Sequence, residues 1–521
     1  MKKSFVLLIS LLVLGSFVLC FAQASILKEK DQVQITENIL YGDKSVVEGV
    51  SLELHNHYED MLFWDTTYVI GKEPKVDTEY TMYQFPQDNF NHRWDGSIYF
   101  NDNNQHINWT EETLKSPEGL EVAYAELYES IGPSEEKEKT VFLKDYMDYY
   151  DFSVSFHSPR EWGSEKEFFH FEIDEEHLEA ELLYVEKTEN HRYSDELIEK
   201  YRNQKIWIET FHEFFKIPVL ENEVITINMR KNAAGEVSGY GMSSNGMGMA
   251  TGDIGTPEYS QEGTYDSFQI GTMCSVRDGD VYFTFYTHTY NNEVVDTSLI
   301  PGGYGIYHFP YDEEEQEIYP EQLQVVYPLD PNLDVMDLTR DARGENLLLF
   351  TMENAEAYMS VIDIESMTLV EKFNLSEFRD DAWGIDYYVL EEDYMIVLTY
   401  GDVIVFSIDE DGNYKKQIEV SREPLNTIFL EDKYNYEVLQ YDTSYDWNGE
   451  QLVFANNMYN VNGYMGTNFY VGMMDKNGLQ YFAIYDTSLQ SSASFDENGY
   501  ETYTYAHCRP VNVDAIVVKW K

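Results

Sequence analysis

Asp334-Val335-Met336-Asp337-Leu338, Asn346-Leu347-Leu348-Leu349-Phe350, Tyr358-Met359-Ser360-Val361-Ile362-Asp363 and Thr368-Leu369-Val370-Glu371-Lys372-Phe373 follow one another along the chain. Each is a short run of β-branched, aromatic and aliphatic residues with turn signals on either side, so the stretch predicts a four-stranded antiparallel meander. The pattern returns as Gly384-Ile385-Asp386-Tyr387-Tyr388, Tyr394-Met395-Ile396-Val397-Leu398, Val403-Ile404-Val405-Phe406-Ser407 and Tyr414-Lys415-Lys416-Gln417-Ile418. A looser copy spans 437–488, with Gln451-Leu452-Val453-Phe454 and Phe469-Tyr470-Val471-Gly472 as inner strands. An earlier one begins at Gly271 and passes through Val281-Tyr282-Phe283-Thr284-Phe285 to Gln324-Val325-Val326-Tyr327. First strands thus fall near residues 272, 334, 384 and 438. A period of about 50–60 residues with four strands per unit is what propeller blades look like.

A blade cannot bury both its faces alone, so copies must stack until a ring closes. Four copies are too few, and the region before residue 271 is expected to supply more. Gly49-Val50-Ser51-Leu52-Glu53-Leu54, Met61-Leu62-Phe63-Trp64 and Tyr80-Thr81-Met82-Tyr83 make one candidate blade. Thr140-Val141-Phe142-Leu143, Phe152-Ser153-Val154-Ser155-Phe156 and Phe168-Phe169-His170-Phe171 suggest another. Asp514-Ala515-Ile516-Val517-Val518 has no complete meander of its own and is expected to finish a blade begun near the N-terminus. The predicted fold is all-β: a β-propeller of about seven four-stranded blades with a helical insertion. The alternative is an N-terminal β-sandwich-like domain followed by a smaller propeller.

Two segments interrupt the strands. Ser194 can cap a helix whose apolar positions Leu197, Tyr201, Ile208, Phe211 and Phe215 keep helical spacing, and Pro218 closes it. From Gly239 to Gly263 the chain is rich in Gly, Ser and Met, the composition of a loop or linker. Met242, Met247 and Met249 lack the further ligands that a copper(I) site needs. The expected organisation is a signal peptide at 1–24, β-rich blades at 25–190, the helical insertion and Gly/Met-rich loop at 191–265, and further blades at 266–521.

The 521 residues are 43% hydrophobic, enough for a packed core, and include 43 Tyr and 29 Phe. The 95 acidic against 35 basic side chains give a formal charge of −60, which repels nucleic acid and anionic membrane surfaces. Lys2 and Lys3, the apolar run Phe5 to Phe21 and the small-x-small triplet Ala22-Gln23-Ala24 make an export signal, and place the mature chain outside the cytoplasm. Leu19 before Cys20 does not fit lipid attachment, while an uncleaved N-terminal anchor remains the alternative to cleavage. Beyond the leader stand only Cys274 and Cys508, which permit one disulfide in an oxidising compartment or two buried thiols.

Val361-Ile362-Asp363-Ile364-Glu365-Ser366-Met367-Thr368 resembles the turn into a blade's outer strand in bacterial WD40-like and quinoprotein-like propellers. Met367 stands where the quinoprotein pattern has Gly, so no quinone cofactor is implied. Asn38-Ile39-Leu40-Tyr41-Gly42-Asp43, with Phe63-Trp64-Asp65-Thr66-Thr67-Tyr68, is similar to the opening of uncharacterised secreted proteins of anaerobic Gram-positive bacteria. That resemblance extends over most of the mature chain and carries no catalytic residues across.

The candidate sites each have a plainer reading. Residues 407–412, 444–449 and 494–499 share Ser-x-Asp-x-(Asn/Asp)-Gly, which resembles the Asp-box turns of sialidase propellers. Gln451 and Glu501 occupy the place of the expected aromatic in the second and third copies, and Asn-Gly or Asp-Gly pairs predict hairpin turns by themselves. Asp409, Asp411 and Asn413 imitate the first ligands of a calcium loop, but Tyr414 replaces its Gly and Val420 its bidentate Glu. Calcium held by loops between blades is the one cofactor that stays open, against a merely solvated acidic surface. His55 and His57 alternate with Leu52, Leu54 and Tyr58 beside Glu53 and Glu59, as a zinc pair or a wet strand face would. There is no Gly-x-Ser-x-Gly elbow, phosphate loop or His-Glu-x-x-His motif, and no catalytic residue is assigned. The expectation is a binding module for a protein, peptide or glycan; the competing one is a secreted carbohydrate-active hydrolase or lyase using carboxylates. Two acids converging with one Arg or Tyr would favour the enzyme.

Overall fold

The computed structural model describes residues 13–18, 20–21, 35–58, 62–71, 75–81, 93–94, 96–102, 117, 119–150, 152–157, 160–161, 195–244, 268, 270–289, 292–312, 317–354, 356–377, 385–399, 401–431, 439, 443–459, 465–487, 494–495, 501–502 and 511–520. The chain is all-β, and its sheets are antiparallel meanders of the propeller-blade type. None of the described helices is long and apolar enough to cross a membrane. Asp334–Arg340, Asn346–Glu353, Glu356–Asp363 and Thr368–Glu377 pair in chain order as one four-stranded sheet. Ile385–Leu390, Tyr394–Thr399, Asp402–Ile408 and Tyr414–Ser421 form a second, so both predicted blades are present. Their inner strands are uninterrupted apolar runs because both faces are covered: Leu347 to Phe350 and Val403 to Phe406 are all buried. Asp341 closes one turn by accepting from the Glu345 amide (2.9 Å) and the Asn346 side chain (2.8 Å), while Gly344 supplies a φ of +74°.

The chain forms two compact units, and residues 1–91 with 381–521 make the first. Besides the 385–421 blade it holds Ser444–Trp447, Gln451–Tyr459, Met465–Asp475 and Gly478–Thr487, to whose outer edge Ile35–Gly42 adds a fifth strand. The first strand of this sheet starts at Ser444 rather than near 438, because helix Glu423–Glu431 fills part of the connection. The remaining sheet runs Val511–Lys519, Ser51–Tyr58, Leu62–Val69, Lys75–Thr81. Leu52 pairs with Val518 and Leu54 with Ile516, so the C-terminal strand completes the N-terminal meander as expected. The alternative of a separate N-terminal sandwich is thereby corrected: those strands need the end of the chain to form their sheet.

Side-chain alternation sends the two faces of the 444–487 sheet into different cores. Leu452, Phe454, Met474 and Phe482 pack with Ile396, Leu398, Val403 and Val405. Val453, Val471, Met473 and Ala483 pack with Leu52, Leu54, Tyr68 and Val518. A blade whose flanks are shared in this way leaves each fully buried aliphatic worth roughly 2 kcal/mol. First-strand edges also meet, since Ser444–Trp447 lies against Val511–Lys519.

The added strand Ile35–Gly42 has no fully buried residue; it is held by its backbone ladder and by Glu37. The Glu37 carboxylate accepts from Lys44, from the Tyr481 hydroxyl and from the Tyr485 hydroxyl (2.9 Å), and the two phenols lie 2.7 Å apart. Burial pushes this carboxyl up, but the bonds from Lys44, Tyr481 and Tyr485 together hold it below the ordinary Glu value. A carboxyl depressed in the folded state stabilises above its unfolded pKa and loses that contribution as pH falls through the folded one. Melting temperature should therefore drop less steeply below pH 4.5 in Glu37→Gln than in the parent chain. Parallel pH profiles of the two proteins would remove Glu37 from the account.

Residues 92–380 form the second unit. Thr272–Arg277, Asp280–Phe285, Gly305–Asp312 and Gln324–Pro328 make a sheet in chain order, as predicted. Tyr282 and Ile306 on one face pack with Val335, Leu338, Leu347, Leu349 and Ile362 of the 334–377 sheet. Phe283, Phe285, Tyr307 and Phe309 on the other join a core with Ser97–Asp102, Phe152–His157 and helix Asp195–Phe214. This is the predicted insertion helix; the ring of its Phe211 stands 5.4 Å from Phe309, and that of Phe215, just past its end, 5.8 Å from Phe283. The first strand Thr272–Arg277 touches both neighbouring first strands, Ser97–Asp102 and Asp334–Arg340.

Two expectations in this unit are corrected. The runs at 140–143 and 152–156 do not share a blade: Glu136–Phe142 pairs with Val224–Lys231, and Phe152–His157 with Ser97–Asp102. A short helical turn at Leu143–Asp145 breaks the path between them, and the third run, 168–171, lies outside the described residues. Nor is 239–244 linker, because Val237–Ser244 is a strand paired with Val224–Lys231; Met242 packs on the core, and Met247 and Met249 lie outside the described residues. Helix Glu121–Ser130 was also not anticipated. Its C-terminus is held by the buried Lys231, whose ammonium donates to the carbonyls of Tyr128 (2.6 Å) and Ile131 (3.0 Å).

Candidate functional site

Strand Asp280–Phe285 runs into a long connection, residues 286–304, before the sheet resumes at Gly305. Its sequence Tyr286-Thr287-His288-Thr289 keeps strand alternation, so both Thr side chains are buried while Tyr286 and His288 are half-buried. The segment is fixed locally. Val295 donates to the Thr287 carbonyl (3.0 Å), Thr289 to the Glu293 carbonyl (2.8 Å), and Asn292 takes a φ of +63° to make the turn. At the far end of the connection the Tyr304 hydroxyl donates to the Phe285 carbonyl (2.6 Å). The Thr287 hydroxyl donates to the Pro331 carbonyl (2.8 Å), which ties the connection to the next blade just ahead of Asp334.

Asp334 opens the first strand of that blade and is half-buried. Burial drives its carboxyl above the ordinary Asp value, against the opposing effects of the His288 charge and of the Tyr286 hydroxyl that donates to it. Tyr286 rises in turn, by burial first and then by the negative charge of Asp334. The Tyr286 and His288 rings lie 5.6 Å apart at 46°. Among the described residues no Lys or Arg forms an ion pair with Asp334. The end of the blade pair thus presents one carboxyl, one phenol and one imidazole on braced backbone. That set can hold a polar or cationic group. Hydrolysis of a glycoside needs a second carboxyl at a set separation, and Asp334 is the one carboxyl in these contacts.

At the opposite end of the same strands lies a different cluster, which bolts the two blades together. Arg340 is buried; its guanidinium donates to the Arg277 carbonyl (3.0 Å), pairs with Asp280 (3.3 Å) and sits 4.8 Å over the Tyr282 ring. His308 lies 2.7 Å from the other Asp280 oxygen, and this bond, with Arg340, holds Asp280 below its usual pKa despite burial. Arg277 donates to the Asp341 carbonyl (2.6 Å).

Of the residues singled out in the sequence, Asp409, Asp411 and Asn413 close the hairpin between Asp402–Ile408 and Tyr414–Ser421. One Asp409 oxygen accepts from the backbone of Asp411 (3.0 Å) and Asn413 (2.9 Å) and from the Asn413 amide (3.1 Å), with Gly412 at φ +80°. The turns at Asn448-Gly449 and Asn477-Gly478 are built alike, with positive φ at both Gly. His55 pairs across the sheet with Asp65, Nδ1 to Oδ1 2.7 Å, on the polar face that alternation predicted. The His57 side chain and Glu59 lie outside the described residues. Among the described residues no group of three His, Cys, Asp or Glu is placed to hold a metal ion. Cys274 lies on Thr272–Arg277, its Sγ 3.5 Å from the Ile98 amide nitrogen, and Cys508 is outside the described residues.

No family model and no curated protein matches the chain. Solved structures with similar geometry include the β-propeller domain of Cps50 (Swd1) from Myceliophteria thermophila, at 8% identity, covering 50% of this chain and 69% of that one with a TM-score of 0.25. The periplasmic gluconolactonase of Pseudomonas aeruginosa matches at 11% identity over 58% and 69%, TM-score 0.25. A provisional 6-phosphogluconolactonase of Bacteroides fragilis matches at 7% over 91% and 98%, TM-score 0.26. Superpositions this loose transfer no residue and no activity.

Proposed function

We propose that the chain is an extracytoplasmic recognition module of the propeller type, binding a protein, peptide or glycan at the end that carries Tyr286, His288 and Asp334. The supporting observation is the group itself: a half-buried carboxyl at Asp334 that makes no ion pair with Lys or Arg among the described residues, and the Tyr286 and His288 rings on the connection of the adjoining blade. Rigid sheets holding a shaped loop suit recognition. The N-terminal Lys2-Lys3, apolar run and Ala22-Gln23-Ala24 support export, in keeping with the resemblance to secreted bacterial proteins. The elevated Asp334 carboxyl favours a second reading, acid catalysis on a carbohydrate.

Glycan and peptide arrays probed with the purified chain decide between them. Recognition predicts retained ligands whose signal falls in Tyr286→Ala, His288→Ala and Asp334→Asn at unchanged melting temperature. Release of reducing sugar from arrayed glycans, lost in Asp334→Asn, would replace binding by hydrolysis. Ligands indifferent to all three substitutions would move the site elsewhere.

A further inference from the structure

The outer edge of Gly478–Thr487 is filled by a strand with little apolar hold on it. None of the eight residues of Ile35–Gly42 is fully buried, and Ile39 and Tyr41 are 44% and 45% exposed. Val511–Lys519, which completes the neighbouring sheet, is by contrast pinned by the buried Ile516 and Val518. Lifting Ile35–Gly42 away therefore breaks few apolar contacts, but it bares a row of backbone donors and acceptors. It also removes the Glu37 carboxylate from Tyr481 and Tyr485, two fully buried residues whose hydroxyls, 2.7 Å apart, both donate to it. Such an edge calls for a strand with an acid at one fixed position.

We infer that two copies of the chain exchange this strand, so that 35–42 of each protomer fills the 478–487 edge of the other. The same segment meets the same register, Glu37 opposite Tyr485 and Gly42 opposite Tyr481, and every contact of the closed form is available to the exchanged one. Beyond the strand the chain stays with its own body. Val47 and Val50 are buried in the core, and Asp43 accepts from the Ser45 amide (2.8 Å). The hinge thus falls at Gly42, whose φ of +77° is a bend that Gly enters and leaves without a Cβ penalty. The formal charge of −60 opposes the meeting of two copies, so salt favours the exchange.

The test places cysteines at the directly opposed positions 36 and 486. The Thr36→Cys/Asp486→Cys protein is concentrated in about 0.5 M salt, where repulsion is screened beyond roughly 4 Å, then oxidised and run on a non-reducing gel with peptide mapping of its linkages. Exchange predicts a covalent dimer joined 36 to 486, whose share rises with protein concentration and with salt. A 36–486 bond that stays within one protomer at every concentration overturns the inference, and so does a dimer that holds this bond internally, since its copies then meet elsewhere. A second measurement needs no cysteine: light scattering of the parent chain with added acetyl-Ile-Thr-Glu-Asn-Ile-Leu-Tyr-Gly-amide, the sequence of the strand itself. The peptide should compete for the edge and suppress the dimer, and the same peptide with Gln in place of Glu should need about tenfold more to do so. A parent chain that remains monomeric throughout, or a dimer indifferent to both peptides, overturns the exchange.

Discussion

Deletion of residues 511–521 abolishes cooperative unfolding of the unit built from 1–91 and 381–521. The strand that would be lost pairs along the whole of Ser51–Tyr58, and places Val518 opposite Leu52 and Ile516 opposite Leu54. Val518 and Ile516 are buried in the core that also holds Val453, Val471 and Tyr485. Its end reaches the neighbouring sheet too: the Val518 amide donates to Ser444 Oγ (3.1 Å) and the Trp520 amide to Asp446. Two buried aliphatics at about 2 kcal/mol each, with the exposed edge of a ladder left behind, remove a large part of the 5–15 kcal/mol that holds a typical domain. The single change Val518→Asp should approach the same result by placing an unpaired charge in that core. Denaturant melts followed by tyrosine and tryptophan signals check both; an unchanged midpoint in either would contradict the pairing.

Arg340→Ala lowers stability by about 3 kcal/mol, near the lower end for breaking a buried ion pair because Asp280 keeps some contact with water. The loss has three parts: the Arg277 carbonyl loses its donor, Asp280 loses one of its two cationic or imidazole neighbours, and the Tyr282 ring loses the guanidinium above it. Arg340→Lys keeps the charge but not the fork or the stacking, so it should recover only part of the loss. Urea midpoints of the two variants give the comparison. If Arg340→Lys melts like the parent, charge alone holds the blades there and the geometric account fails.

The blades at 334–377 and 385–421 were legible because their strands are local, their inner runs unbroken and their turns marked by Gly and Asp. Even the departure at Met367 left the backbone intact, since Met367 takes the left-handed φ of +49° where the resembling pattern has Gly. Strand Val237–Ser244 was hidden by Gly239 and Gly241, which give no apolar alternation. Gly241 is small because Asn228 fills the space opposite, its Oδ1 3.2 Å from where a Cβ would stand. Gly472 is a similar case, with the Phe454 ring lying where its side chain would be. The pairing of Glu136–Phe142 with Val224–Lys231 was not legible either, because partners so far apart in sequence leave no local signal. The candidate site was missed for the same reason. In the sequence Asp334 opens a predicted strand, and Tyr286 and His288 belong to no motif; the three residues lie on neighbouring blades, too far apart in sequence to form a local pattern. The carboxylates that did form patterns, such as Asp409 and Asp411, belong to turns, where one Asp serves as acceptor for the backbone.

Native-state hydrogen exchange, resolved by segment, tests most directly the claim that these sheets are assembled from both ends of the chain and share their flanks. Residues 511–519 and 51–58 are predicted to become exchangeable together, at the free energy of global unfolding of their unit, while 35–42 opens at lower energy because none of its side chains is fully buried. Rapid exchange of 511–519 with 51–58 still protected would contradict the account.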